Sequence, residues 1–167
     1  MVEDVVDNPG VIAWPPAIAM ATVVLGLALD WLAPVYVLTV VFFFWTRVVI
    51  GIAIIAVGLA LAAIGDRTFR AIGTNVHPSQ PALRLATSGI YSHLRNPMYV
   101  GLILMVVGVG IAFASDWTLV LAIPAAFILH HGVVLREERY LERKFGEDYR
   151  RYMASVPRYG WPGVNSM

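Results

Sequence analysis

Two adjacent glutamates and two adjacent histidines are the side chains in this sequence best suited to chemistry. Glu137 and Glu138 begin the polar tail, and His130 and His131 precede them by about two helical turns. On a helix, both glutamates flank an apolar stripe, where a carboxylate is costly unless something binds it. They are predicted either to pair with a basic residue of another segment or to bind a ligand's ammonium or ribose hydroxyls. On a helix the two histidines would point about 100° apart, and they lack the spacing of metal ligands, so we expect no metal site there. Each histidine is then either a hydrogen-bonded polar group of the helix or a general base.

A second candidate site lies where a helix is predicted to begin. Asn96 is a favoured N-cap residue and Pro97 a favoured first helical residue. The unpaired N–H groups and the positive dipole end of that helix lie beside Arg95, a combination that suits a carboxylate or a phosphate. The alternative is an ordinary cap with an arginine among lipid headgroups.

The elements that must position these residues are predicted to be membrane helices. Hydrophobic residues make up 59% of the 167 residues and charged residues 14%, against about 45–50% and about 25% in soluble domains. This excess excludes a small soluble domain and a disordered chain. The sequence has no cysteine, which excludes disulfides, thiolate nucleophiles and cysteine-ligated metals. It also has no P-loop, nucleophilic-serine elbow or nucleic-acid-binding patch.

Charge-free stretches predict an all-α integral membrane protein with about four transmembrane helices in one domain, residues 1–167. The predicted spans are 16–32, 48–65, 97–115 and 117–135. Residues 35–46 would rise only about 18 Å as a helix, so we expect an interfacial or re-entrant segment or a lead-in to the second span, and a fifth span stays open as an alternative. Two spans carry glycines spaced by seven residues, which predict close helix–helix contact: Gly51, Gly58 and Gly65, then Gly101 and Gly108.

The polar residues fall into a loop, 73–96, and an amphipathic C-terminal helix, 136–153. Eleven of the 12 lysines and arginines lie between 66 and 97 or after 135. The positive-inside rule therefore predicts that both segments face the cytoplasm, and a compact chain indicates a prokaryotic inner membrane. The arginine face of the C-terminal helix is predicted to meet anionic headgroups or water. The acidic start of the chain predicts no cleaved signal peptide.

Together these segments resemble the family of isoprenylcysteine carboxyl methyltransferases and phospholipid methyltransferases. The resemblance covers about half of the chain, from Gly73 to Arg158. Its motifs are, in order, Gly73-Thr74 with Pro78, Ala86-Thr-Ser-Gly-Ile-Tyr91, Arg95-Asn-Pro-Met-Tyr-Val-Gly101, Glu137-Glu138-x-x-Leu141-x-x-x-Phe145-Gly146-x-x-Tyr149-x-x-Tyr152 and Val156-Pro157-Arg158.

The resemblance implies an S-adenosylmethionine-dependent methyltransferase that acts on a lipophilic or amphipathic acceptor among membrane lipids. The donor pocket it implies consists of Leu83, Arg84, Leu85, Ala86, Tyr91, Asn96, Pro97, Met98, Tyr99 and Glu137. A carboxylate acceptor needs no base, whereas an amine or thiol does, and the candidates are then His130, His131 and Glu138.

Two positions depart from the family pattern. Asn96 stands where the motif often has histidine, and Val133 stands where prenylcysteine enzymes place an arginine for the substrate carboxylate. The resemblance therefore implies methyl transfer without a prenylcysteine acceptor. Two other classes stay open: a nicotinamide-dependent membrane reductase of the steroid-reductase type, which has a comparable Arg-x-Pro-x-Tyr stretch, and a non-catalytic membrane scaffold or lipid-binding protein.

Overall fold

The computed structural model describes residues 7–160, and all regular structure within that range is helical. The acidic residues 1–6, on which the signal-peptide prediction rests, lie outside the described part. Seven α-helices are present there: α1 (Pro15–Leu32), α2 (Val37–Val41), α3 (Phe44–Ile72), α4 (Pro97–Phe113), α5 (Asp116–Leu129), α6 (Leu135–Phe145) and α7 (Glu147–Ser155). A 3₁₀ turn, Gly89–Ser92, lies in the loop before α4, and a π-helical turn, His130–Val134, joins α5 to α6.

Three continuous helices of the described part are long and apolar enough to cross a membrane: α1, α3 and the run from α5 to α6. The fourth predicted span corresponds to α4, which has 17 residues and falls just short of that length. Helix α3 extends well past the predicted span 48–65, because a helix can continue through charged residues at the membrane edge. Helix α3 ends where Gly73 adopts a left-handed conformation (φ 70°), as glycine commonly does at the C-terminal end of a helix.

Helices α3 and α4 pack backbone against backbone through the predicted glycines. A Cβ atom on Gly58 would lie 2.6 Å from the carbonyl oxygen of Gly101, and one on Gly51 would lie 2.6 Å from that of Gly108. Any side chain at these positions would therefore separate the helices. The predicted close helix–helix contact at these glycines is confirmed, and the structure shows that the two glycine-bearing spans contact each other.

The end of the bundle far from the polar loop is closed by side-chain hydrogen bonds. Asp30 at the end of α1 binds Ser115, the N-cap residue of α5, and Trp117 donates from its ring nitrogen to the carbonyl of Ala33 at 2.7 Å. Helix α2 is only five residues long and is held by a bond from the Leu38 N–H to Asp116 at 3.2 Å. The segment 35–46 is therefore a short helix followed by the first turn of α3.

The C-terminal polar segment differs from the single helix predicted for 136–153. Gly146 (φ 56°, ψ −126°) breaks it into α6 and α7. Only glycine adopts this backbone region at little cost, so the chain turns there and α7 takes a new direction. The apolar stripe survives the turn, because Tyr149 and Tyr152 are buried and Leu141 packs against them. The opposite face, with Arg136, Arg139, Arg143 and Arg150, is exposed as predicted.

Candidate functional site

A polar cleft lies between the 73–96 loop, the start of α4 and the helices α6 and α7. It encloses a cavity of about 100 Å³ and is partly open to solvent. The residues that line it come from every polar segment of the described chain. They include Phe69, Thr74, His77, Arg84, Leu85, Ala86, Tyr91, Arg95, Asn96, Pro97, Met98, Tyr99, Glu137, Glu138, Tyr140, Tyr149 and Tyr152.

The 73–96 loop forms one wall of the cleft, the loop wall, and the buried Thr74 stabilises its conformation. The Thr74 hydroxyl accepts hydrogen bonds from the N–H groups of Leu83 (3.0 Å) and Arg84 (3.2 Å), which closes the loop on itself. Farther along, the ring of Tyr91 stacks on Phe69 of α3 at 4.9 Å between ring centres. The carbonyl of Tyr91 accepts from the Tyr152 hydroxyl at 2.7 Å. These contacts fix a loop that has little regular structure of its own.

The start of α4 forms the floor of the cleft. Asn96 is its N-cap residue and Pro97 its first helical residue, as predicted. The Asn96 side chain does not cap the helix, however, and instead donates to the carbonyl of Arg158 at 3.3 Å. The N–H groups of the first helical turn have no carbonyl partner within the helix. This end of α4 is therefore a suitable place for an anionic group.

The two adjacent glutamates have different partners. The buried Glu138 forms two hydrogen bonds with Arg158, at 2.9 Å and 2.8 Å, and lies 3.4 Å from Arg95. The pair with Arg95 is the predicted pairing with a basic residue of the other polar segment, whereas Arg158 belongs to the same C-terminal segment as Glu138. Glu137 accepts a hydrogen bond of 2.6 Å from the Tyr99 hydroxyl. A carboxylate has about four acceptor positions, so Glu137 retains capacity for a ligand and Glu138 is committed to its arginines.

Two buried polar groups of the cleft have unused hydrogen-bonding atoms within the described residues. The Tyr91 hydroxyl and the Arg95 Nε are both buried and have no hydrogen-bond partner there. Burial raises the pKa of Tyr91, so its hydroxyl stays protonated and can donate. Native proteins rarely leave such atoms unpaired. A bound polar molecule in the cleft would supply the missing partners.

The segment 7–14, which we call the strap, covers one side of the cleft. Asp7 accepts from Lys144 at 2.6 Å and from the Tyr140 hydroxyl at 2.7 Å. The strap also donates from the Ile12 N–H to the carbonyl of Gly132 at 3.1 Å, within the π-helical turn. Tyr140 in turn accepts from the Ala82 N–H of the loop at 3.0 Å. The strap therefore binds α6 at a residue that also contacts the loop wall.

An apolar groove adjoins the cleft on the membrane side. It is lined by Tyr99, Val100, Ile103, Leu104, Ala126, Leu129, His130, Val134 and Tyr159. Tyr99 lines both recesses and separates them. The His130 Nδ1 lies 2.7 Å from the Tyr159 hydroxyl.

The structure brings most of the implied donor-pocket residues together, along with one candidate base. Nine line the polar cleft: Arg84, Leu85, Ala86, Tyr91, Asn96, Pro97, Met98, Tyr99 and Glu137. Leu83 is exposed and is not among the lining residues. Glu138 lines the cleft and His130 lines the groove, whereas exposed His131 stacks on Phe127 outside both recesses.

Several contributors were missing from the residues proposed from sequence, and Arg95, Tyr159 and the strap are three of them. Arg95 was noted beside the helix start but not as a lining residue, while Tyr159 and the strap carry no local motif at all. Of these three, only Arg95 could be recognised in the sequence, because it is basic and directly precedes Asn96. The other two reach the site by tertiary contacts.

The sequence matches one protein-family model. The model describes phospholipid methyltransferases and matches residues 46–148, more than half of the chain. The chain belongs to the phospholipid methyltransferase family. No curated protein and no solved structure matches it.

Family membership and the helices together define the class of the molecule. The matched region runs from the start of α3 into α7 and contains the loop, the start of α4 and both glutamates. With three helices able to span a membrane, this phospholipid methyltransferase family member is an integral membrane protein of the methyltransferase type. The strap, Arg158 and Tyr159 lie outside the matched region.

Proposed function

We propose that this protein transfers a methyl group from S-adenosylmethionine to a lipophilic or amphipathic acceptor. The observation that carries the proposal is the placement of Glu137 opposite the start of α4 in one cleft of a methyltransferase-family chain. S-adenosylmethionine has a carboxylate, an ammonium group, a sulfonium and two ribose hydroxyls. It therefore needs an anion site, a carboxylate and aromatic surface, and the cleft contains all three.

The residues of the cleft match these groups by charge. The start of α4 and the buried Arg95 suit the donor carboxylate, because both offer N–H groups and positive charge. Glu137 suits the ammonium group or the ribose hydroxyls. The rings of Tyr91 and Tyr99 suit adenine or the sulfonium, which is attracted to an aromatic face.

The remaining work of the protein is alignment and the exclusion of water. S-adenosylmethionine supplies an already activated methyl group, so the protein has only to hold the two reactants in line. The two bound reactants would themselves fill the cleft and so exclude water from the reacting centre. The acceptor is expected to arrive from the bilayer, because the groove beside Tyr99 is lined by α4 and α5.

We also propose that the cleft faces the cytoplasm of a prokaryotic cell. The basic residues cluster at the end of the bundle that carries the cleft, as the positive-inside rule requires. Since the chain has no cysteine, single cysteines can report the orientation. In intact cells, a membrane-impermeant thiol reagent should label Tyr36→Cys at the far end and leave Ser92→Cys in the loop unlabelled. The reverse pattern would contradict the proposed orientation.

The donor is tested by ligand-induced stabilisation of the purified protein. A ligand at 100 times its Kd adds about 2.7 kcal/mol, so S-adenosylmethionine or S-adenosylhomocysteine should raise the Tm by roughly 5–10 °C. Glu137→Ala should abolish most of the shift, and Glu137→Gln should separate the loss of charge from the loss of volume. Glu147→Ala, an exposed glutamate on α7, is the matched control and should keep the full shift.

Two outcomes would overturn the proposed donor. Stabilisation by NADPH alone would indicate the reductase class. No shift from any of these ligands, in protein shown to be folded, would leave the scaffold or lipid-binding class.

A further inference from the structure

The apolar groove is a second recess that the donor does not need. Its walls come from Val100, Ile103 and Leu104 of α4 and from Ala126 and Leu129 of α5. These helices lie in the part of the chain expected within the bilayer, and the groove touches the polar cleft only at Tyr99. Its shape and lining suit the hydrocarbon chain of a membrane amphiphile whose head reaches toward the cleft.

One polar pair lies among these apolar walls. The His130 Nδ1 is 2.7 Å from the Tyr159 hydroxyl, and both residues line the groove. Tyr159 is held there because the preceding Arg158 is paired with Glu138 and its carbonyl accepts from Asn96. Burial raises the pKa of Tyr159 to about 12. The phenol therefore stays neutral and is a fixed hydrogen-bond partner for His130.

The charges around the pair do not suit an anionic acceptor. No lysine or arginine is among the described residues that line the groove. The arginines of the neighbouring cleft wall, Arg95 and Arg158, both contact the buried Glu138, and the remaining donors of Arg95 are the ones proposed for the donor carboxylate. A carboxylate head in the groove would therefore meet no cation already directed at it, and it would be buried at high cost.

We propose that His130 is the general base of this reaction and accepts the proton of a protic nucleophile, a thiol or an amine, on an amphiphile whose hydrocarbon chain lies in the groove. Tyr159 is the positioning residue for His130. This inference rests on the proposed function, because it assigns the acceptor side of the same reaction.

The step balances without a further reactant. The acceptor's sulfur or nitrogen forms a bond to the methyl carbon, the carbon–sulfur bond of the sulfonium breaks, and its electron pair stays on sulfur. The acceptor's proton passes to the Nε2 of His130, while the Nδ1–H of the ring keeps its proton and donates a hydrogen bond to the Tyr159 oxygen. The products are a thioether or a methylated amine, S-adenosylhomocysteine and a proton that His130 releases to water.

The head group is tested with three probes that share one tail. Dodecanethiol, dodecylamine and dodecanoate are incubated with the protein and S-adenosylmethionine in lipid nanodiscs, and the methylated products are measured. We expect methylation of the thiol, the amine or both, and separate measurement of the two products shows which head group the protein accepts. A methyl ester of dodecanoate as the main product would overturn the proposal. So would donor-binding protein that methylates neither the thiol nor the amine.

The role of His130 is tested with an acceptor that needs no base. His130→Gln should slow methylation of dodecanethiol by about 100-fold at neutral pH, the typical contribution of a general base. It should scarcely slow methylation of a dodecyl-substituted aromatic thiol, which is already ionised at that pH. Equal losses on both thiols would show that His130 is structural and would overturn its assigned role.

A pH profile separates the base from its surroundings. The groups that face His130 are Tyr159, the adjacent His131, and Glu138 with Arg158 in the neighbouring wall. The deficit of His130→Gln on dodecanethiol should shrink as the pH rises through the thiol's own pKa, because the thiolate then forms unaided. Tyr159→Phe should lower kcat on dodecanethiol and leave its KM unchanged. A deficit that does not depend on pH would contradict proton transfer to His130.

The groove itself is tested by binding, without turnover. In the presence of S-adenosylhomocysteine, dodecanethiol should raise the Tm of the wild type. Ala126→Phe, which fills the groove, should abolish that rise and retain the shift caused by S-adenosylhomocysteine. Ala60→Phe on the exposed face of α3 is the matched control and should bind both. A dodecanethiol shift that survives Ala126→Phe would exclude the groove as the acceptor site, whereas failure of the proposed function would appear as no shift with S-adenosylhomocysteine.

Discussion

The polar cleft and the apolar groove share Tyr99, yet their walls are held in different ways. The cleft joins segments far apart in sequence through single hydrogen bonds, such as Tyr140 to Ala82 and Tyr152 to Tyr91. The groove lies between two helices that are consecutive in the chain, joined by the short turn at Ser115. One polar substitution should therefore disturb the cleft, while the groove should respond mainly to changes in side-chain volume.

The largest effect is expected where the cleft wall rests on a buried ion cluster. Glu138→Ala would leave Arg95 and Arg158 buried without their carboxylate, which typically costs about 3–5 kcal/mol. The Tm should fall by roughly 10 °C or more, and donor binding should be lost with the wall. Glu138→Gln should be intermediate, because it keeps hydrogen-bonding capacity and loses charge. Glu142→Ala, at a largely exposed ion pair, is the control and should change the Tm little. A stable Glu138→Ala protein that still binds the donor would show that the cluster does not hold the cleft.

The second-largest effect is expected at the backbone contact between α3 and α4, and it tests whether donor binding in the cleft depends on that contact. A Cβ on Gly101 would lie 2.5 Å from the carbonyl of Gly58, so Gly101→Val should destabilise the protein by about 1–3 kcal/mol through overpacking. Denaturation in detergent measures this cost. Ala60→Val, on the exposed side of α3, is the matched control. In the folded fraction, donor affinity should be unchanged, and a loss of affinity there would show that the cleft is sensitive to helix spacing.

The helices and the start of α4 could be predicted from sequence because their signals are local. Charge-free length identifies a membrane helix, and Asn96-Pro97 identifies a helix start whatever the rest of the chain does. The glycine spacing likewise predicted close helix–helix contact at these spans, since small residues let two backbones approach, but it did not say which helices meet.

The parts that escaped prediction depend on tertiary contacts or on departures from ideal helix geometry. The π-helical turn at His130–Val134 widens the helix, so a wheel drawn at 100° per residue misplaces the residues after the turn. Gly146 had the residue type for a helix stop, but the hydropathy pattern continued through it. The pairing of Arg158 with Glu138 and the place of Tyr159 beside His130 have no signature in nearby sequence, because their partners lie 20 and 29 residues away.

A smaller effect is expected at Tyr99, the residue that lines both the cleft and the groove. Tyr99→Phe keeps the ring that separates the recesses and removes the hydroxyl that binds Glu137 at 2.6 Å. Hydrogen bonds to charged groups contribute about 1.5–3 kcal/mol, so donor affinity should fall by roughly 10- to 150-fold. The Tm shift caused by dodecanethiol in the groove should be unchanged. Tyr99→Ala, which also removes the wall, should reduce both, and equal losses in the two variants would mean that the hydroxyl matters to both recesses.

The smallest effect is expected at the strap, which touches the cleft and not the groove. Lys144→Met removes the cation that binds Asp7. Because exposed ion pairs contribute little, the release rate of labelled S-adenosylhomocysteine should rise by only about twofold. Arg143→Met, exposed on the same helix, is the control and should release at the wild-type rate.

Two conditions test whether this effect comes from the ion pair. High salt should bring the wild-type rate to that of Lys144→Met, because it screens exposed charges. The hydrogen bond from Lys144 lowers the pKa of Asp7, so the bond contributes fully above about pH 4 and is lost only as the pH falls through the lowered value. The difference between wild type and Lys144→Met should therefore be the same at pH 5 and pH 7. A difference that disappears between these values would place the responsible charge elsewhere in the cleft.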